Sequence, residues 1–249
     1  MKKFYLLLLI IFAFMLHGCR KSVSKNSKRE TVEVLNNKEH LQRSNNSEDI
    51  HKSKIINKRT SQKLEGAEVF EVYNTAVFMI YTSDGINAYQ GSGFFIDNEG
   101  LAVSNYHVFK GTNIGSEQIK LVDSDFVYNI IEVIAKSEKE DFILFKVNCS
   151  GTNYLPIAKT KPSIGEKVFA IGSPRGLENT FSSGEVSQWR GTNLMQISAL
   201  IDHGSSGGVL INEYGEAVGI TSGTFYDGSQ ANLNYAWSID VIKPYINFR

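Results

Sequence analysis

Between residues 76 and 239 no apolar run lasts beyond a handful of residues before a glycine or a polar turn residue interrupts it. The runs fall at Ala76–Tyr81, Tyr89–Ile96, Leu101–Ser104, Gln118–Val122, Phe126–Ile134, Phe142–Val147, Lys167–Ile171, Thr180–Val186, Leu194–Ile201, Val209–Ile211, Ala217–Thr224 and Asn232–Ile239. Many of them carry β-branched and aromatic residues, and Asp97-Asn98-Glu99-Gly100 is a strong hairpin turn. The runs are short, lie at near-regular spacing and are separated by glycine turns. They predict an all-β barrel or sandwich. Helices are expected only at the two ends. Glu65–Asn74 can bury Val69, Phe70, Val72 and Tyr73, and Asp240 can cap a short helix through Ile246.

One loop in this array has chemical potential. Asp202-His203-Gly204-Ser205-Ser206-Gly207-Gly208 lies between two apolar runs. Its glycines permit left-handed backbone and close approach to a ligand. A serine held in such a turn can face a ligand with free amide groups beside it, as a nucleophile attacking a carbonyl requires. The same letters also fit a hairpin turn with no chemistry, so the rest of the chain must supply a base and an orienting acid.

Of the five histidines, His17, His40 and His51 precede the apolar array. His203 is only three residues from Ser206 on the same tight loop, a poor position from which to turn back onto its hydroxyl. His107 ends an apolar strand, after Ala102-Val103-Ser104-Asn105-Tyr106, where a base can be rigid and still face a cleft. Asp141 opens Phe142-Ile143-Leu144-Phe145. A carboxylate at the edge of the core can accept from an imidazole and fix its tautomer. Glu138 and Glu140 are its neighbours on the more solvent-prone side of the turn.

The start of the chain is a different material. Lys2-Lys3 and the thirteen apolar residues Phe4–Leu16 read as a secretory signal, too short to span a bilayer comfortably. Leu16-His17-Gly18-Cys19 resembles a bacterial lipobox, which implies a signal at 1–18 and a lipid on Cys19 of a membrane-anchored cell-envelope protein. The other cysteine, Cys149, is expected to be a partly buried spectator, so the fold must stand without a disulfide. Residues 19–63 are expected to be a flexible tether. From residue 20 they carry 12 Lys+Arg against 5 Asp+Glu and few aliphatic residues, too little apolar surface to offset ordering entropy. Residues 64–249 carry 12 Lys+Arg against 21 Asp+Glu, so a neutral total hides two oppositely charged parts. No aromatic interleaving supports nucleic-acid binding by the basic part. Residues 64–249 suit one sizeable domain.

Six ordered segments resemble the HtrA/Deg family of trypsin-like serine proteases. Gly91-Ser92-Gly93-Phe94-Phe95-Ile96 looks like its glycine-serine-glycine strand. Ser104-Asn105-Tyr106-His107-Val108 is similar to T-N-x-H-V, and Asp141-Phe142-Ile143-Leu144-Phe145-Lys146 to D-L-A-x-L-K. Gly165–Pro174 is similar to G-x-x-V-x-A-I-G-N-P, Phe181–Ser187 to T-V-T-x-G-I-V-S, and Gly204–Gly208 to G-N-S-G-G. The resemblance implies two six-stranded antiparallel β-barrels with the site between them. His107 would be the base, Asp141 its orienter and Ser206 the nucleophile, with the amides of Gly204 and Ser206 as oxyanion hole. It implies an endopeptidase acting on unfolded or misfolded proteins outside the cytoplasm, needing no cofactor. A silent or partner-activated binding module on the same fold is the alternative.

The departures from the family are Ser205, where asparagine is frequent, and His203, where proline is usual. Before Arg249 no PDZ segment follows, so tethering of substrates through that module is not expected. A homotrimer is common in the family, and no motif in this sequence decides for or against it. Leu200, six residues before Ser206, stands where trypsin-like specificity wants an acid. With Ile220, Thr221 and Ser222 it is expected to line a pocket for an uncharged aliphatic side chain. Metal and nucleotide chemistry find no support: there is no H-E-x-x-H, no paired C-x-x-C and no phosphate loop.

Overall fold

A computed structural model describes residues 62–122, 124–225 and 233–246. The signal, Cys19 and nearly all of the basic stretch lie outside the described residues. Among those described, no helix is long and apolar enough to cross a membrane.

Among the described residues there is one α-helix, α1 (Gly66–Tyr73), which begins where the Glu68 carboxylate accepts the Glu65 amide at 2.9 Å. That satisfies one of the donors a helix start leaves open. The helix buries Val69, Val72 and Tyr73. Seven strands follow: β1 (Val77–Ser83), β2 (Ala88–Phe95), β3 (Leu101–Ser104), β4 (Gln118–Leu121), β5 (Val127–Tyr128), β6 (Ile130–Ser137) and β7 (Phe142–Val147). They pair antiparallel in the order β5-β4-β1-β2-β3-β7-β6. Six more strands close a second barrel in the order β10-β13-β12-β11-β8-β9. These are β8 (Lys167–Gly172), β9 (Thr180–Arg190), β10 (Leu194–Ile197), β11 (Val209–Asn212), β12 (Ala217–Phe225) and β13 (Leu233–Ser238).

The first sheet has seven strands where six were expected, because the run Phe126–Ile134 does not act as one strand. β5 pairs with β4 and β6 pairs with β7, with Asn129 alone between them. One stretch of chain therefore supplies both edges of the sheet. Asn129 is held at this corner by its side-chain amide, which donates to Glu117 O at 2.5 Å. The Glu117 carboxylate, itself buried, accepts the amides of Gly115 and Ile130 at 2.6 Å each.

Period-2 alternation sorts the apolar residues into three cores. On β7, Ile143 and Phe145 enter the interior of the first sheet, while Phe142 and Leu144 face the second barrel. Phe94 and Val103 make the same choice against Phe95 and Ala102. From the other side, Phe169, Ile171, Val209 and Ile211 meet them, while Val168, Ala170 and Leu210 fill the second barrel. Strands buried on both faces read as continuous apolar runs, which is why Phe142–Phe145 shows no polar alternation. Each such side chain contributes about 1.5–3 kcal/mol by leaving water. The shared core makes the seam between the sheets rigid, and the loops of interest lie along that seam.

The terminal helix does not form as expected. Ile239–Val241 and Lys243–Tyr245 are two separate 3-10 turns. Pro244 offers no N–H to continue a helix from Asp240. The N-terminal cap is the Ser238 hydroxyl, which accepts the Asp240 amide at 3.3 Å, not Asp240 itself. The Asp240 carboxylate pairs instead with Lys243 at 2.5 Å.

Candidate active site

The loop between β10 and β11 is held mainly through its backbone. The amides of Ser205, Gly207 and Gly208 donate to Asp202 O (2.9 Å), Thr221 O (2.8 Å) and Ser205 O (2.9 Å). From β2, the Ser92 amide donates to Ser206 O at 2.8 Å. The buried Thr221 hydroxyl donates to Ser205 O at 2.7 Å. The amides of Gly204 and Ser206, on either side of Ser205, donate to no protein acceptor among the described residues. Alternate amides of one tight loop are therefore available to an anion.

His107 and Asp141 come from the first sheet. His107 lies in a 3-10 turn (Tyr106–Phe109) one residue beyond β3, not at the end of the strand itself. Asp141 precedes β7 with a φ of 45°, left-handed and costly for a residue with a side chain. That conformation is held at both ends of the residue. The Asn105 side-chain amide donates to Asp141 O at 2.8 Å. The His107 backbone amide donates to Asp141 Oδ1 at 2.9 Å. His107 Nδ1 lies 2.8 Å from Asp141 Oδ2, and the Ser222 hydroxyl donates to the same oxygen at 2.7 Å. A ring nitrogen this close to a carboxylate oxygen carries the hydrogen, which leaves Nε2 as the acceptor. The Asp141 side chain is 16% exposed and that of His107 45%, so the pair is shielded at the acid and open at the ring. The rival acids are engaged elsewhere, Glu138 with Lys110 at 2.6 Å and Glu140 with the Asn193 amide at 2.8 Å.

Neighbouring contacts bring the loop to this pair. A side-chain carbon on Gly91 would meet Val108, the residue after His107, on one side and Ser206 O on the other. Ser222 bonds Asp141, and the adjacent Gly223 would place such a carbon 3.6 Å from Ser206 Oγ. Among the described residues no hydrogen bond joins Ser206 Oγ to His107, whose ring bonds to Asp141.

A cavity of about 600 Å³ opens beside Ser206. Ala170, Ile171, Phe181, Leu200 and Ile201 give it apolar walls, Leu177 stands among them, and Thr221 and Gly223 complete one side. Leu200 and Thr221 were expected there. Ile220 and Ser222 do not line it. Ile220 is fully buried in the core between the sheets. Ser222 is the extra residue of a bulge on β12, where pairing with β13 steps from Thr221 to Gly223. A bulge re-aims its side chain, and this one turns Ser222 onto Asp141. Arg175 and Asp202 form an ion pair at 2.8 Å within the lining. The His203 backbone N–H, and then Arg175, hold the Asp202 carboxyl below the usual carboxylate range. Cys149 is half-buried away from this site, and burial pushes its thiol up. No cluster of side chains suited to a metal ion occurs among the described residues.

Residues 91–220 match the model of a trypsin-like peptidase domain. The mitochondrial serine protease HTRA2 of Drosophila persimilis is 30% identical over 188 residues, covering 71% of this chain and 43% of that protein. HTRA2 of Drosophila virilis is 29% identical over the same span. The chain thus spans less than half the length of these curated relatives. Among solved structures, the serine endoprotease from Yersinia pestis superposes with a TM-score of 0.65 at 23% identity, covering 74% of this chain and 66% of that one. The Rv3671c protease from M. tuberculosis in its active form superposes at 0.63 with 19% identity, covering 71% and 82%. At these identities the likeness to the two structures is one of fold.

Proposed function

The chain belongs to the family of trypsin-like peptidase domains and is HtrA-like within it, and on that premise we propose that it is a serine endopeptidase. The observation that carries the reading is the His107–Asp141 contact of 2.8 Å beside a loop whose Gly204 and Ser206 amides are unused. In the proposed reaction, Ser206 Oγ attacks the scissile carbonyl and passes its proton to His107 Nε2. Asp141, steadied by Ser222, keeps the ring oriented and stabilises the imidazolium. The two amides receive the oxyanion, and His107 then gives its proton to the leaving amine. Water deacylates the serine by the same steps. Catalytic hydrogen bonds are often long in apo sites and tighten only when substrate binds, and in this reading the Ser206–His107 bond forms at that stage.

The substrates we propose are unfolded or misfolded proteins outside the cytoplasm, cut after an uncharged aliphatic residue. The apolar walls of the cavity support that preference. Anchoring by a lipid on Cys19, followed by a basic tether, would hold the domain at a membrane of the cell envelope. The lack of a Ser206–His107 hydrogen bond favours a second reading, in which a partner must first order the site. Basal inactivity relieved by added peptide would distinguish it.

Digestion of denatured casein by the purified chain, with the cut sites mapped by mass spectrometry, tests the first reading. Fragments ending in Val, Ile, Leu or Ala are expected. Fragments ending in Lys, Arg or Asp would overturn the pocket assignment, and intact casein under all conditions would overturn the peptidase.

A further inference from the structure

Gly204 is gripped from the opposite sheet by two side chains of β2, Ser92 directly and Gln90 through the turn beside it. A trans peptide points its C=O and the following N–H in opposite directions. His203 O accepts the Arg175 amide at 2.7 Å. The Gly204 N–H, on the same peptide, therefore points away from the turn Pro174–Gly176 that carries Arg175. Whatever holds this turn in place also sets the direction of the Gly204 amide.

The turn is not self-supporting. Arg175 has a φ of 53°, a left-handed conformation that a non-glycine residue keeps only under external restraint. Gln90 of β2 straddles it. Its Oε1 accepts the Gly176 amide at 2.9 Å, and its Nε2 donates to Ser173 O at 2.7 Å. Nε2 also lies 3.2 Å from Gly91 O and 3.5 Å from Gly204 O. With three carbonyls on one side and one N–H on the other, the side-chain amide has only one sensible orientation. Two residues on, Ser92 Oγ donates to Gly204 O at 2.7 Å and accepts the Ser173 amide at 2.9 Å. The fit around Gly204 is close. Its φ is +94°, and a side-chain carbon there would come within 2.3 Å of Gln90 Oε1 and 2.9 Å of Arg175 N.

We propose that Gln90 is a positioning residue for the peptidase reaction: by clamping the turn Pro174–Gly176 it fixes the peptide plane that aims the Gly204 amide at the oxyanion. The inference rests on the peptidase reading above. Gln90 touches neither the serine nor the His–Asp pair. Apart from the carbonyl of the next residue, all of its side-chain partners lie in two loops of the second barrel.

Gln90→Glu tests it. The variant keeps the shape and the acceptor for Gly176 but cannot donate to Ser173 O. With wild type and variant as full-length proteins, kcat on a peptide substrate is expected to fall about 10- to 100-fold, less than the 10²–10³ for deleting an oxyanion donor outright. KM should stay near wild type, and the assays are run well below the variant's unfolding midpoint, which a carboxylate oxygen facing carbonyl oxygens is expected to lower. A peptide aldehyde, whose adduct needs the amides, should lose affinity in step with kcat, while the matching peptide alcohol should not. Unchanged kcat, or a loss carried by KM, overturns the proposal. Amide hydrogen exchange at Arg175 provides an arm independent of turnover: faster exchange in the variant supports the clamp, and unchanged exchange overturns it. A wild-type protein that is inactive and unlabelled at Ser206 removes the peptidase reading, and the exchange measurement still decides the clamp.

Discussion

Replacing Ser206 by alanine is expected to slow casein cleavage about 10⁶-fold, the loss seen when an acting nucleophile is deleted, while the unfolding midpoint stays at the wild-type value. Both halves follow from what Ser206 touches. Its carbonyl accepts the Ser92 amide at 2.8 Å, and that bond belongs to the backbone and survives the substitution. The loop's other bonds run through the amides of Ser205, Gly207 and Gly208 and the Thr221 hydroxyl. The Ser206 hydroxyl makes no hydrogen bond among the described residues, so its removal leaves no buried group unpaired. A residual rate above that in water should persist, because the Gly204 and Ser206 amides still meet the carbonyl oxygen. Wild-type cleavage by Ser206→Ala would end the assignment of the nucleophile, and unfolding of the variant would show that the hydroxyl has a structural role.

The second large effect concerns the frame. Gly184→Ala is expected to destabilise the domain by more than about 3 kcal/mol, beyond the usual cost of overpacking. For a domain of this size that lowers the unfolding midpoint by about 10 °C. Gly184 lies in β9 where the chain leaving β10 crosses it. A side-chain carbon there would sit 2.2 Å from Ala199 N, 2.7 Å from Ala199 Cα and 2.7 Å from Ser198 C. All three are backbone atoms, which cannot rotate aside. The crossing is tied on the adjacent residue, where the Ser198 amide donates to Glu185 O at 3.0 Å and the Ser198 hydroxyl accepts the Glu185 amide at 2.8 Å. Relief would have to break these bonds and shift the segment leading to Leu200 and Asp202. Activity should fall together with stability, as separates this variant from Ser206→Ala. A midpoint within 2 °C or so of wild type would show that β9 and the crossing segment can part at little cost.

The fold was readable where burial leaves a period. Continuous apolar runs such as Phe142–Phe145 marked strands covered on both faces, and Asp97–Gly100 marked a turn, where Asp97 Oδ1 accepts the amides of Glu99 and Leu101 at 2.9 and 2.8 Å. The corner at Asn129 was not readable, because apolar residues run through it on both sides and pairing alone separates β5 from β6. At the site, residue type and position pointed to His107 and Asp141, whereas only the family resemblance put Ser206 ahead of Ser205 as the nucleophile. The preference for Asp141 over Glu138 and Glu140 becomes physical only through their partners, His107, Lys110 and Asn193. The pocket failed at the bulge. An unbroken strand has no letter that marks Ser222 as the extra residue, so the sequence offers no reason to turn it onto Asp141. Gln90 was invisible for a different reason. Its partners Ser173, Gly176 and Gly204 lie in another barrel, and nothing in a lone polar residue before Gly91 names them.

The most direct measurement is covalent labelling of the folded, full-length chain with a fluorophosphonate, the adduct located by mass spectrometry. The expected result is a single adduct on Ser206 that disappears in His107→Ala, because the hydroxyl reacts only when a base takes its proton and the amides receive the phosphoryl oxygen. A folded chain that stays unlabelled, or an adduct on Ser205 in place of Ser206, would contradict it.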